Sequence, residues 1–263
     1  MKTLRPLFFF SSLLLIVGLA CSALGGGSAP TQPAQPQQPV EQPTQPPAPA
    51  PTDVPPPTEA PVDTATSAPE PSGSAPQFFK EEFDTSAALD NWDHFSLGSG
   101  ADTDLVIKQE DDHVLFDLGD EDLYVYYVYL PHEYGNVSLT MNAQNRGRNN
   151  NNVSLVCRMN SDQSNWYEFS VESGGLWYLY AVDGKYNIID NGGTNALKQG
   201  KEVNEYQLSC DGNKITMSIN GSKIKTVTET KYGFADGMVG FNISSLNVLP
   251  ITVEVNWFEV KEP

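Results

Sequence analysis

Glu168 and Glu172 are the carboxylates whose spacing comes nearest to a two-carboxylate hydrolytic pair. A retaining mechanism of that kind needs its carboxyl groups about 5 to 5.5 Å apart. The run Trp166 to Glu172 alternates as a strand does, so the two acids share a face but stand roughly 13 Å apart along it. They read as solvent-facing strand acids. His94, His113 and His132 are scattered, with neither a serine nucleophile elbow nor zinc-ligand spacing around them. Binding chemistry is better represented. Alternation gives Tyr167, Phe169 and Val171 to a core face and leaves Trp166, Glu168 and Ser170 on the other; it also sets Tyr178 and Tyr180 apart from Trp177 and Leu179, and Tyr124 and Tyr126 apart from Val125 and Tyr127. If Tyr126, Trp166, Tyr178 and Tyr180 share an open face with Glu168, they offer flat apolar platforms for sugar rings beside a hydroxyl acceptor. Aromatic residues are also strong strand formers, which is the plain alternative.

The elements that must position these residues are strands. Short apolar runs recur about every ten residues: Leu105–Lys108, Val114–Leu118, Leu123–Leu130, Val137–Ala143, Val153–Met159, Trp166–Glu172, Leu176–Val182 and Tyr186–Ile189, then Glu205–Cys210, Lys214–Ile219, Lys223–Thr228, Gly237–Ile243 and Ile251–Val260. Gly174-Gly175, Asp183-Gly184, Asp211-Gly212-Asn213 and Asn220-Gly221 suit tight hairpins. One helical turn is expected near Thr85–Asn91. An all-β, antiparallel two-sheet sandwich follows for residues 77–263, with about 185 residues to fill one core.

The first 76 residues differ in kind. Lys2 and Arg5 precede the apolar run Leu7–Leu19, too short to span a bilayer comfortably and ending in Ala20-Cys21. This stretch resembles the lipobox of bacterial lipoproteins, with Gly18 where Leu or Val is usual. The resemblance implies a leader over residues 1–20, acylation of Cys21, a membrane anchor and an extracytoplasmic location. Residues 21–76 then form a Pro-, Thr- and Ala-rich tether, too poor in large apolar side chains to fold and expected to be disordered with local polyproline II.

Five of the 33 acidic residues lie in that tether and two of the 15 basic ones in the leader, leaving 28 against 13 in the folded part. Such a surface repels polyanions, so nucleic acid is excluded as a partner, while neutral glycans or divalent cations fit. In an oxidising compartment Cys157 and Cys210, each in parity with apolar neighbours, read as a disulfide; two buried free thiols are the alternative.

Phe79-Lys80-Glu81-Glu82-Phe83-Asp84 with Trp92, then Val156-Cys157-Arg158, Asn165-Trp166-Tyr167-Glu168-Phe169, Leu208-Ser209-Cys210, Ile219-Asn220-Gly221, Gly237-Met238-Val239-Gly240-Phe241 and Val255-Asn256-Trp257-Phe258 follow one another in a familiar order. The ordered set resembles the concanavalin A-like lectin/glucanase (laminin G-like) jelly rolls of exported bacterial proteins, including 3-keto-disaccharide hydrolase-like domains. That implies two curved antiparallel sheets and leaves the activity open, since this fold serves enzymes, lectins and scaffolds. The Glu-x-Asp-x-x-Glu pattern of the superfamily's retaining glycosidases is absent from the sequence. The resemblance also raises a structural calcium ion between the first strand and the C-terminal one. Asp84 and Asn256 stand at those places, with Asn256 where Asp is common. The expectation is a lipid-anchored β-sandwich for carbohydrate or other extracellular ligand recognition; a glycoside-processing hydrolase with an unrecognised site, or a non-catalytic envelope scaffold, are the alternatives.

Overall fold

The computed structural model describes residues 75–263. The leader, Cys21 and nearly all of the tether lie outside the described residues. The described chain opens with Ala75 and Pro76, whose carbonyls hydrogen-bond His132 Nε2 at 2.6 Å and the Tyr129 hydroxyl at 3.1 Å.

Fifteen strands follow one another: β1 (Phe79–Glu81), β2 (Trp92–Gly98), β3 (Leu105–Glu110), β4 (His113–Leu118), β5 (Leu123–Tyr129), β6 (Val137–Asn145), β7 (Asn151–Met159) and β8 (Asn165–Glu172). After these come β9 (Leu176–Asp183), β10 (Tyr186–Gly193), β11 (Val203–Asp211), β12 (Lys214–Ile219), β13 (Ser222–Thr228), β14 (Met238–Ser245) and β15 (Ile251–Lys261). They form two antiparallel sheets. The first runs β13-β12-β11-β6-β15-β4-β3 with β1 added beside β15, and the second runs β10-β9-β8-β7-β14-β5-β2. A two-sheet sandwich results, with one 3-10 turn at Ser86–Leu89, inside the stretch expected to turn helically, and another at Asp102–Asp104.

Alternation builds the core between the sheets. Phe116, Met141, Leu208, Met217 and Phe258 of the first sheet meet Tyr127, Leu155, Phe169, Leu179 and Phe241 of the second, all essentially inaccessible. Trp92 stacks on Tyr127 at 5.1 Å and turns its edge to Phe258. Within this layer Cys157 of β7 and Cys210 of β11 form a disulfide, so the bridge joins the two sheets. The Asn220-Gly221 hairpin has both residues at positive φ, 50° and 73°, as its sequence requires. Strands β1 and β2 were not legible. β1 has three residues, and β2 is an edge strand in which only Trp92 is buried, so neither carries a clean alternation.

Candidate functional site

Residues directly opposite across a ladder share a face, so register fixes what lies on the outer surface of the second sheet. One row runs Phe95, Tyr126, Asn242, Ser154, Ser170 and Tyr178 across β2, β5, β14, β7, β8 and β9. The row on one side holds Val128, Gly240, Val156, Glu168 and Tyr180, and the row on the other Tyr124, Ser244, Asn152 and Glu172.

Glu168 sits at the floor of a depression of about 230 Å³ lined by Tyr124, Asn152, Glu168, Ser170, Tyr180 and Tyr186. Its carboxylate accepts the Tyr126 hydroxyl at 2.7 Å and the Trp166 indole N–H at 3.0 Å, both on Oε2. Because Tyr126 donates to Glu168, the 2.5 Å contact between the hydroxyls of Tyr126 and Tyr186 has Tyr186 as donor. Desolvation raises the Glu168 pKa above the ordinary carboxylate value; the hydrogen bonds from Trp166 and Tyr126 pull the other way without overcoming it. Tyr178 and Tyr180 stack at 5.5 Å, and Tyr180 meets Tyr186 edge-on at the same centroid distance.

Next to this depression lies a polar seam. Both side-chain polar atoms of Asn242, the Ser244 hydroxyl and Asn152 Oδ1 are buried without a hydrogen-bond partner among the described residues. Leaving such a group unpaired costs roughly 1–3 kcal/mol. Ser154 and Ser170 satisfy each other at 2.9 Å.

The structure gathers Tyr126, Trp166, Glu168, Tyr178 and Tyr180 on the one face that alternation assigned to them, but it corrects their exposure. Trp166 and Tyr126 are 1% and 0% exposed, in a second apolar cluster with Val128, Val156, Met159, Val182 and Met238, and so cannot act as open platforms. Glu168 is 2% exposed rather than solvent-facing. Parity specifies a face and is silent on what covers it; here Phe95, Tyr124 and Tyr180 pack over that cluster. The rings left accessible on this face are Tyr124, Tyr178, Tyr180 and Tyr186, of which only Tyr178 and Tyr180 were singled out. Asn242 and Ser244 were missed, because a polar residue in an apolar strand reads as an outward solvent contact. Asn152 is on β7.

Asp84 is exposed just after β1, and Asn256 occupies a register irregularity of β15 where its amide donates to Asn142 Oδ1 at 2.7 Å. Among the described residues no group of three His, Cys, Asp or Glu side chains converges as a metal site.

Solved structures share the fold at low sequence identity. A Bacillus subtilis protein of unknown function with a galectin-like fold has a TM-score of 0.57 at 12% identity, covering 70% of this chain and 94% of that one. A Bacillus licheniformis β-glucanase gives 0.52 at 13%, covering 73% and 100%. A Bacteroides ovatus glycoside hydrolase family 16 protein from a mixed-linkage glucan utilisation locus gives 0.53 at 10%, covering 70% and 99%. No curated protein sequence matches this chain. The family profile of the 3-keto-alpha-glucoside-1,2-lyase-like domain matches residues 79–249, nearly the whole sandwich. With the match spanning all but the last of its fifteen strands, the chain belongs to the 3-keto-alpha-glucoside-1,2-lyase-like domain family.

Proposed function

We propose that the outer face of the second sheet is a carbohydrate-binding groove, presented at a bacterial envelope by acylated Cys21 and the proline-rich tether. The observation that carries this reading is the depression itself, in which the rings of Tyr124, Tyr180 and Tyr186 stand beside the amide of Asn152. Sugar hydroxyls would bond the half-buried Asn152 amide in the wall of the depression while a ring face packs on Tyr180 or Tyr186. The family and the likeness to glucan-acting folds support the same ligand class. A glycan array with the intact protein is the test. Binding that is lost in Tyr180→Ala and in Asn152→Ala is the expected result, and the absence of binding to any glycan would sink the proposal.

Glu168 favours a second reading, elimination from a 3-keto-glucoside. A carboxylate whose proton affinity is raised by burial suits removal of the C2 proton, which the neighbouring ketone acidifies. The C2–H electron pair becomes the C1=C2 double bond, and the C1–O bond breaks to release the aglycone, which takes up a proton. Tyr126, bonded to both Glu168 and Tyr186, would relay the proton outward. Incubation with a 3-keto-glucoside and detection of the conjugated enone tests this. Loss of the signal in Glu168→Gln is expected, and no enone from the wild type rejects the reading.

A further inference from the structure

A second cavity, of about 310 Å³, shares no lining residue with the groove; Arg158, Tyr167, Ile215, Glu229 and Phe234 wall it, with Asn213 on its polar side. Arg158 lies where pairing between β7 and β14 shifts register, and its φ of 56° is unusual for a non-glycine residue. Its side chain is pinned, with Nε donating to the Gly135 carbonyl at 2.9 Å and Nη1 to the Phe234 carbonyl at 3.0 Å. Only 4% of the residue is exposed. Nη2 has no partner among the described residues, and Arg158 forms no ion pair there; Asp211, Asp236 and Glu229 act on it only at longer range. With no carboxylate in contact among the described residues, the guanidinium keeps its full charge and Nη2 is left to donate into the cavity.

Glu229 is not a rival ligand contact. Its Oε1 accepts the amides of Lys231 at 2.5 Å and Tyr232 at 2.9 Å, and its Oε2 accepts the Tyr167 hydroxyl and the Gly233 amide. Burial pushes that carboxyl up, but these bonds outweigh it and hold it below its ordinary value. The carboxylate is fully used in fixing the loop that carries Phe234, so of the two charged groups in the cavity the guanidinium is the one with a hydrogen-bonding group to spare.

We propose that this cavity binds the carboxylate of a small organic acid of about monosaccharide size, through Arg158 Nη2, with Phe234 and Ile215 against its carbon skeleton. A charge-assisted bond from Nη2 to a carboxylate is stronger than one to a neutral hydroxyl. The acidic surroundings restrict the ligand to a single charge, since a polyanion would be repelled before reaching the cavity.

Isothermal titration of the intact protein with sodium glucuronate, sodium lactate and glucose tests the proposal, with Tyr180→Ala as the groove-defective background. One-to-one glucuronate binding is expected in both the wild type and Tyr180→Ala. Arg158→Lys, and Asn213→Trp, which narrows the cavity mouth from an exposed hairpin, should each weaken it roughly tenfold or more. Binding of glucuronate alone marks a sugar-acid site and binding of lactate as well marks a general carboxylate site; both support the proposal. Absence of glucuronate binding, glucose binding of equal strength, or indifference to Asn213→Trp overturns it. Should Arg158→Lys fail to fold, Asn213→Trp and amide shifts at Phe234 and Ala235 in the titrated wild type decide the matter.

Discussion

Glu168 and Asn242 lie in adjacent rows of the same face and set opposite demands on stability. Burial favours the protonated form of Glu168, so its folded pKa lies above the unfolded one. Its contribution to stability is therefore full below the unfolded carboxylate range and lost as pH rises through the folded value. Glu168→Gln should flatten the acid-side dependence of the melting temperature and leave stability at neutral pH equal or higher, measured by thermal melts across pH. A melt profile as steep as the wild type's would contradict this. Asn242 buries two polar atoms with no partner among the described residues. Asn242→Val should raise unfolding free energy by about 1 kcal/mol or more, read from the denaturant midpoint. A loss of stability would mean that the amide is already satisfied. The polar character of both residues was plain in the sequence. Their burial was not, because it depends on side chains that arrive from β2, β5, β9 and β10.

At the scale of elements, the junction of β7 and β14 does more than pair strands. Gly237 has φ of 147°, and a Cβ there would come within 2.3 Å of the Met159 carbonyl oxygen. Only glycine lets β14 start this close to the irregularity that presents Arg158. Gly237→Ala should cost about 2 kcal/mol or more through overlap and backbone strain, seen as a lower denaturant midpoint together with weakened glucuronate binding. Unchanged stability would argue against so tight an approach. Strand positions from β3 to β15 were legible because alternation marks any strand that buries one face. The exceptions are informative: β1 has only three residues and β2 buries only Trp92, so neither is long or buried enough to show the pattern. β10 was read as four residues and runs for eight, because Asp190, Asn191, Gly192 and Gly193 look like a turn until Gly192 is seen to lie under the Trp177 indole.

Across the whole molecule, the Cys157–Cys210 bridge closes a separation of 53 residues and links the two sheets through the core. Replacing both cysteines by alanine should cost on the order of 4 kcal/mol in the chain-entropy account, checked by denaturant unfolding of the double variant against the wild type with and without reductant. A difference near zero would mean that packing alone sets the spacing of the sheets. The acidic balance and the two-sheet class follow from composition and the period-two pattern, both local properties of the chain. The pairing of the cysteines was favoured by parity but needed the fold, since it joins strands from different sheets. By itself the sequence determined which residues form strands, which face each one presents and that the chain carries an excess of acid, because these depend on residue type and near neighbours. Tertiary structure alone decided that the outer face is roofed, that Glu168, Asn242 and Ser244 are buried in it, and that Arg158 is left with a free nitrogen at a cavity. Each of those depends on contacts between segments tens of residues apart, and no local pattern encodes them.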